Sequence, residues 1–166
     1  MTRWIIALAL AAVAMSAPIT AIGPSITKYR ITAKYDHHAD FRALHSYAWT
    51  QGWASFNPAV DEHIVRAIDR ELAALGFSKQ AAGGCDVLVA YRSLQRTDVD
   101  VHGPRAGKQM YPEYPVGTLM ILMLEPRNKR ELFRVRVDMP IELDTPALAE
   151  QIDGVVNRMF ERYPTR

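Results

Sequence analysis

The sequence has few of the residues on which small secreted domains and common enzymes depend. Cys85 is the only cysteine, which excludes an internal disulfide framework and a cysteine-rich zinc site. No glycine-rich phosphate loop and no Gly-x-Ser-x-Gly, His-Glu-x-x-His or Cys-x-x-Cys motif occurs. Because the chain carries no recognisable catalytic signature, we expect a protein that is not an enzyme and uses no cofactor.

An excess of charge of one sign is also missing. Lysine and arginine total 20 and aspartate and glutamate total 18, which leaves a net charge of +2 over 166 residues. A nucleic-acid-binding domain usually carries a basic patch and a clear basic excess, so we expect no nucleic-acid partner. Apolar residues make up 49% of the chain and no internal repeat is visible, which predicts one globular domain.

Long hydrophobic runs are absent as well. The longest, Trp4–Met15, has 12 residues, which is typical of the core of a signal peptide and too short to cross a bilayer. Pro18 then breaks any helix, and the small residues up to Ala21 fit a cleavage site. We therefore expect cleavage after Ala21 and a periplasmic or secreted protein.

This interpretation divides the chain into a signal peptide at residues 1–21 and a single α+β domain at residues 22–166. No cysteine lies near the cleavage region, so we expect no lipid anchor. The alternative is that the N-terminal helix stays uncleaved and anchors the protein in the membrane.

Five segments have the side-chain pattern of β-strands. Residues 29–36 alternate strictly between apolar and polar side chains, as a half-buried strand does. The predicted strands are residues 29–36, 46–50, 86–92, 117–125 and 131–137, and a short helical turn is predicted at 39–44.

Two longer segments are predicted to be helices. Asn57-Pro58 provides a cap and a first helical residue, and Gly76 ends the first helix. Thr145-Pro146 opens the second. Because both helices carry an apolar stripe, we expect a two-layer sandwich, with a five-stranded, mainly antiparallel sheet and the two long helices on one face. The expected order is β-(short α)-β-α-β-β-β-α.

The strands that contain Val87–Tyr91 and Leu119–Leu124 are apolar on both faces. Central strands are apolar on both faces when both faces of the sheet are covered. The two predicted helices cover only one face of the sheet. The loop at 100–115, the N-terminal segment or another protein must then cover the other face. The hypothesis of a partner predicts an interaction surface containing Tyr111 and Tyr114 of the loop and Met120 and Leu122 of the strand.

His37, His38 and His45 form the only cluster with the chemistry of metal ligands. Imidazole suits Zn²⁺ or Cu²⁺. Adjacent histidines at the end of a strand point to opposite sides, however, so a solvated loop is favoured and no metal is expected. A metal-binding or small-ligand-binding protein is the alternative function.

Basic residues are densest at positions 127–136, and acidic residues lie within this stretch and beside it. It indicates peripheral contact with a membrane or an acidic glycan, although the acidic residues favour a merely solvated hairpin.

Several motifs resemble a known bacterial family. They are Tyr35-Asp36-His-His-Ala39-Asp40-Phe41, Leu44-x-Ser46-Tyr47-Ala48-Trp49, Ile64-x-x-Ala67-Ile68-x-x-Glu71-Leu72, Asp86-Val-Leu-Val-Ala-Tyr91 and Gly117-Thr-Leu. In order and spacing they are similar to domain-of-unknown-function family 4136, over roughly residues 28–163. The resemblance implies an exported envelope protein, often a lipoprotein, without an established activity. It supplies no catalytic residue, and this chain lacks the lipobox cysteine.

The sequence thus predicts an exported, non-enzymatic envelope protein that acts as an interaction or structural module. Its expected partner is a periplasmic or membrane-associated component, or a second copy of the chain.

Overall fold

The computed structural model describes residues 29–81, 83–102, 111–142 and 144–164. The predicted signal peptide at residues 1–21 and the middle of the predicted 100–115 loop lie outside the described residues.

Two long helices and a single sheet make up the described structure, so the predicted α+β class is confirmed. The strands are β1 (Arg30–Tyr35), β2 (Ser46–Trp49), β3 (Ser78–Lys79), β4 (Val87–Val99), β5 (Glu113–Leu124) and β6 (Glu131–Pro140), and the helices are α1 (Pro58–Ala74) and α2 (Thr145–Phe160). A 3-10 turn at Phe41–Ala43 lies where the short helical turn was predicted.

The predicted number of five strands is wrong, because the sheet has six. Its order is β1-β6-β5-β4-β2-β3. The additional strand β3 has only two residues, too few to show any alternation in the sequence. It pairs in parallel with β2, which also runs parallel to β4, so the sheet is mixed. The last three long strands form an antiparallel meander.

The main core lies between the helices and one face of the sheet. Alternate strand residues such as Val89, Ile121 and Val135 point into it and are fully buried. Ile68 of α1 and Val156 of α2 meet them from the helix side. Each such side chain contributes about 1.5–3 kcal/mol by leaving water, so this layer holds the sandwich together.

The ends of α1 follow the signals in the sequence. The Asn57 side chain accepts hydrogen bonds from the first turn, and Gly76 has a φ of 88° just beyond the helix. Phe77 N–H then donates to Leu72 O at 2.9 Å, the closure expected of a glycine-terminated helix. The cap of α2 is Asp144 rather than Thr145. Neither described helix combines the length and apolarity that crossing a bilayer requires.

Candidate functional site

The four predicted binding residues fall into two separate places. Met120 and Leu122 lie on the outer face, which is the face of the sheet opposite the helices. Tyr114 lies near the start of β5 and Tyr111 just before it. Six residues of extended strand separate Tyr114 from Met120, which corresponds to about 20 Å. The structure therefore does not bring the four residues into one site.

The solvent-accessible part of the outer face is less apolar than the sequence suggested. Leu122 is only 7% exposed, and Leu88 and Ala90 are buried as well. Met120 is half-buried and lies between Arg92 of β4 and Arg136 of β6, its direct cross-strand neighbours. Long basic side chains cover apolar surface with their stems and keep their charges in water. The accessible part of this face is therefore mainly basic.

A shallow groove on the outer face has Met120 of β5 along one side. The other lining residues are Thr32 and Lys34 from β1 and Arg134 and Arg136 from β6. Three of the five side chains are cations, so the groove can hold an anionic group. We call it the basic groove.

One carboxylate beside the basic groove is strongly stabilised as an anion. Asp138 accepts hydrogen bonds from Arg136 at 2.9 Å, from the Thr118 hydroxyl and from Arg96 at 3.1 Å. These donors, with Arg136 first, lower the pKa of Asp138 to about 2. Asp138 thus neutralises part of the charge of Arg96 and Arg136 at any physiological pH.

The far end of the sheet projects beyond the helices. Strand β6 ends opposite Val116, and Ile141 N–H adds a last hydrogen bond to Pro115 O at 3.0 Å. From there outward β4 and β5 pair only with each other, as far as Val99 opposite Glu113. Tyr114 lies on this projecting hairpin.

A second cavity opens at the same end of the sheet. It lies between the first turns of the two helices, the C-terminal half of β4 and the N-terminal half of β5. Its volume is about 250 Å³. Its walls are mostly apolar and include Val60, Ile64, Leu119, Met139, Leu148 and Ile152. Polar groups such as Asn57 and Gln95 also line it. Apolar walls with a few polar groups are typical of a binding site. We call this cavity the end cleft.

Exposed apolar side chains gather around the end cleft. Phe56 is 99% exposed and Leu94 49% exposed, and both line the cleft. Val99 and Val101 extend this surface along the hairpin, with 47% and 58% exposed. In the described part of the chain six large apolar side chains are exposed, and four of them lie here. We call the end cleft and these four residues the apolar end.

The three candidate metal ligands are not brought together. His37 and His38 lie in the turn after β1, and His45 directly precedes β2. Three strands separate β1 from β2 in the sheet, so the two strands are about 19 Å apart. The carboxylates nearby bind backbone instead: Asp36 accepts from His38 N–H at 2.9 Å. The described residues contain no group of three or more His, Cys, Asp or Glu side chains arranged to hold a metal.

Sequence analysis missed a polar cluster beneath α1. Asp69 accepts hydrogen bonds from the Tyr47 hydroxyl at 2.6 Å, Trp49 Nε1 at 2.9 Å and Lys79 Nζ at 2.8 Å. About two turns earlier on α1, Asp61 accepts a hydrogen bond from the Tyr91 hydroxyl. Burial and the bond to Asp69 raise the pKa of Tyr47, so its hydroxyl stays a donor. The cluster fixes α1 to the sheet and has no nucleophile to activate.

The comparisons with known proteins describe the fold and the family. No curated protein matches the chain. A PDZ domain protein from Parabacteroides distasonis aligns with 84% of this chain at 15% identity and a TM-score of 0.58, and the match covers 37% of that protein's chain. A PelC dodecamer from Paraburkholderia phytofirmans aligns over 80% of this chain and 94% of its own, at 9% identity and a TM-score of 0.54. Identities this low indicate a similar fold and nothing further.

The family itself is established by a match along most of the sequence. The motifs from Tyr35 to Gly117 predicted this family, and the fold holds them in the strands, turns and first helix described above. The family model described as "Domain of unknown function (DUF4136)" matches residues 31–165, and the chain belongs to this family.

Proposed function

We propose that this domain is a non-enzymatic interaction module of the bacterial envelope that binds another protein through its apolar end. The observation that carries this proposal is the concentration of exposed apolar side chains around one cavity. Single exposed apolar residues are ordinary on protein surfaces, but several of them at the end of the molecule that holds an apolar cleft are typical of an interaction site.

The dimensions of the end cleft favour the side chain of a partner as its occupant. An apolar cavity of about 150 Å³ accommodates benzene, and the cleft measures about 250 Å³. One aromatic or large aliphatic side chain fits this space. Drug-sized ligands usually occupy pockets of about 300–1,000 Å³, which favours a single side chain over a larger small molecule.

The surroundings of the cleft also favour a protein over a small molecule. Two exposed residues lie outside the walls of the cleft, Val99 and Val101, and the wall residue Phe56 projects into solvent. A ligand confined to the cleft would therefore leave all three side chains in water. A partner segment that crosses the cleft and the hairpin covers them at the same time. Such an arrangement, a buried anchor with a surrounding contact area, is typical of protein interfaces.

The predicted signal peptide at residues 1–21 supports a place for this interaction in the periplasm. We propose a soluble periplasmic form after cleavage, with an uncleaved N-terminal anchor as the alternative.

Site-specific crosslinking in living cells tests the proposal. A photoreactive amino acid is placed at Phe56, which lines the cleft, in the full-length protein, and the matched control carries it at Arg66, an exposed position on α1. We expect one protein to be crosslinked from position 56 and not from position 66. We expect Leu148→Trp, which fills the end cleft, to abolish that crosslink while the variant remains folded by circular dichroism.

Two results contradict the proposal. One is equal crosslinking from positions 56 and 66. The other is a crosslink that persists in a folded Leu148→Trp protein, because the cleft would then not hold the partner.

A further inference from the structure

The outer face brings two cations into direct opposition. Lys34 of β1 and Arg134 of β6 are antiparallel cross-strand partners, so their Cβ atoms lie about 5 Å apart on the same face. Like charges placed directly opposite destabilise a sheet. A feature that costs stability without a structural gain often marks a binding site.

The charges nearby only partly relieve this repulsion. Glu131 contacts Arg134 at 3.3 Å, and no ion pair to Lys34 occurs within the described residues. Other cations share the face: Arg30 on β1, Arg92 and Arg96 on β4 and Arg136 on β6. The carboxylates beside these six cations are Asp98, Glu131 and Asp138. The face therefore has a basic excess that the near-neutral chain as a whole lacks.

One edge of the same face carries an exposed aromatic side chain. Trp53 bridges to Arg92 of β4, and the Arg92 guanidinium lies 4.5 Å from the centre of its ring. Trp53 is 55% exposed. A tryptophan with one side against an arginine and the other in solvent suits the boundary between lipid headgroups and water.

We propose that the outer face binds the surface of a bilayer that contains anionic phospholipids, with lipid phosphates in the basic groove. Lys34 and Arg134 then share an anion, which removes their repulsion, and Arg136 contributes a third positive charge. Trp53 enters the interfacial region at the margin. The cations lie on three strands of this face, so a bilayer surface can contact many of them at once, whereas a single soluble ligand would contact only part of this row of cations.

Vesicle sedimentation tests this proposal with the protein purified as the cell processes it. The vesicles contain either 30 mol% phosphatidylglycerol in phosphatidylcholine or phosphatidylcholine alone, at about 0.1 M salt. The double variant Lys34→Ser/Arg134→Ser removes two charges from the basic groove. Its matched control, Arg66→Ser/Arg162→Ser, removes two exposed charges, one on α1 and one in the turn that follows α2.

We expect binding to the anionic vesicles alone, and a decrease with added salt. Each cation near an anionic surface accounts for about a fivefold change in partitioning, so the groove variant should lose about 25-fold and the control less than twofold. Because the groove variant removes a like-charge pair, it should also unfold at the same or a higher urea concentration than the unmodified protein. A loss of binding through misfolding is thereby excluded.

Three results overturn the proposal. The first is equal loss of binding in the groove and control variants, which indicates non-specific charge attraction. The second is equal binding to both kinds of vesicle. The third is release of the protein by millimolar inorganic phosphate, which identifies a free phosphate as the ligand. None of the substituted residues belongs to the apolar end, so failure here leaves the proposed protein interaction to be decided by its own experiment.

Discussion

Asp69 of α1 accepts a hydrogen bond from the Tyr47 hydroxyl, with 2.6 Å between the two oxygens, and thereby joins the helix layer to β2. The same carboxylate accepts from Trp49 Nε1 and from Lys79 Nζ, so it serves two adjacent strands. Tyr47 is almost fully buried, which makes the carboxylate hard to replace by water. A half-buried acid thus performs a structural task that its position on an amphipathic helix does not reveal.

Replacing this acid should destabilise the domain. Asp69→Ala leaves the Tyr47 hydroxyl and the Trp49 N–H without their acceptor, and unpaired buried donors cost about 1–3 kcal/mol each. We expect the free energy of unfolding, measured with urea, to fall by about 2 kcal/mol. The control is Glu62→Ala on the same helix, whose exposed ion pair with Arg66 contributes at most about 0.5 kcal/mol. Equal losses in the two variants would contradict the structural role of Asp69.

The hydroxyl of Tyr163 should be dispensable, in contrast to its ring. Its oxygen is buried and has no hydrogen-bond partner within the described residues, and burial raises its pKa to about 12. The ring makes edge contacts with Phe41, Phe77 and Phe133 at 5.4–6.0 Å between centroids. Tyr163→Phe should therefore leave stability unchanged or raise it by about 1 kcal/mol, because no bond is lost.

Thermal and urea unfolding of the two variants Tyr163→Phe and Tyr163→Ala separate these contributions. Tyr163→Ala removes the ring from the core and should cost about 3–5 kcal/mol. A loss of more than about 1 kcal/mol in Tyr163→Phe would show that the hydroxyl has a partner after all.

Asp138 should make stability depend on pH in the acid range. Its pKa is lowered from 3.8 to about 2, chiefly by Arg136, with Thr118 and Arg96. An acid with a depressed pKa stabilises the folded state above its unfolded pKa and loses this contribution as the pH falls. The contribution should thus be complete above about pH 4 and disappear towards pH 2.

The comparison of Asp138→Asn with the unmodified protein isolates this effect from that of other carboxyl groups. Urea unfolding is measured at several pH values between 6 and 2. We expect the variant to be less stable at pH 6 and the difference to shrink steadily below pH 4, since the native carboxyl is then being protonated. A difference that stays constant across this range would rule out an ionised Asp138 as its cause.

The fold was predictable wherever the pattern of the sequence is local. Alternating or continuously apolar segments identified five strands, and Asn57 and Gly76 marked both ends of α1, because caps and side-chain patterns depend on neighbouring residues. Strand β3 was missed since two residues show no period. The strand order, in which β1 pairs with β6, depends on contacts between residues far apart in the sequence.

The candidate site was predicted only in part for the same reason. Tyr114 was predicted in the 100–115 loop and Met120 in a strand, whereas both lie on β5, about 20 Å apart. The end cleft joins Phe56, Leu94 and Leu148 from three distant segments. The opposition of Lys34 and Arg134 likewise needs the register between β1 and β6, which no local pattern contains.

Two glycines should respond to alanine in opposite directions, because their surroundings differ. A Cβ at Gly52 would lie 2.1 Å from the backbone oxygen of Tyr91, so the chain between β2 and α1 would have to move away from β4. That oxygen also accepts from Trp53 N–H at 2.9 Å, a bond that the movement would break. Gly154 lies in the middle of α2 and is exposed, and a Cβ there would meet nothing within 4 Å.

Gly52→Ala should cost about 2 kcal/mol of stability through overpacking, whereas Gly154→Ala should gain up to about 1 kcal/mol from helix propensity. Urea unfolding of both variants measures these changes, and each protein is the other's control for the added methyl group. Stabilisation by Gly52→Ala would mean that the segment before α1 does not lie against β4, and the bridge between Trp53 and Arg92 on the outer face would then have to be reconsidered.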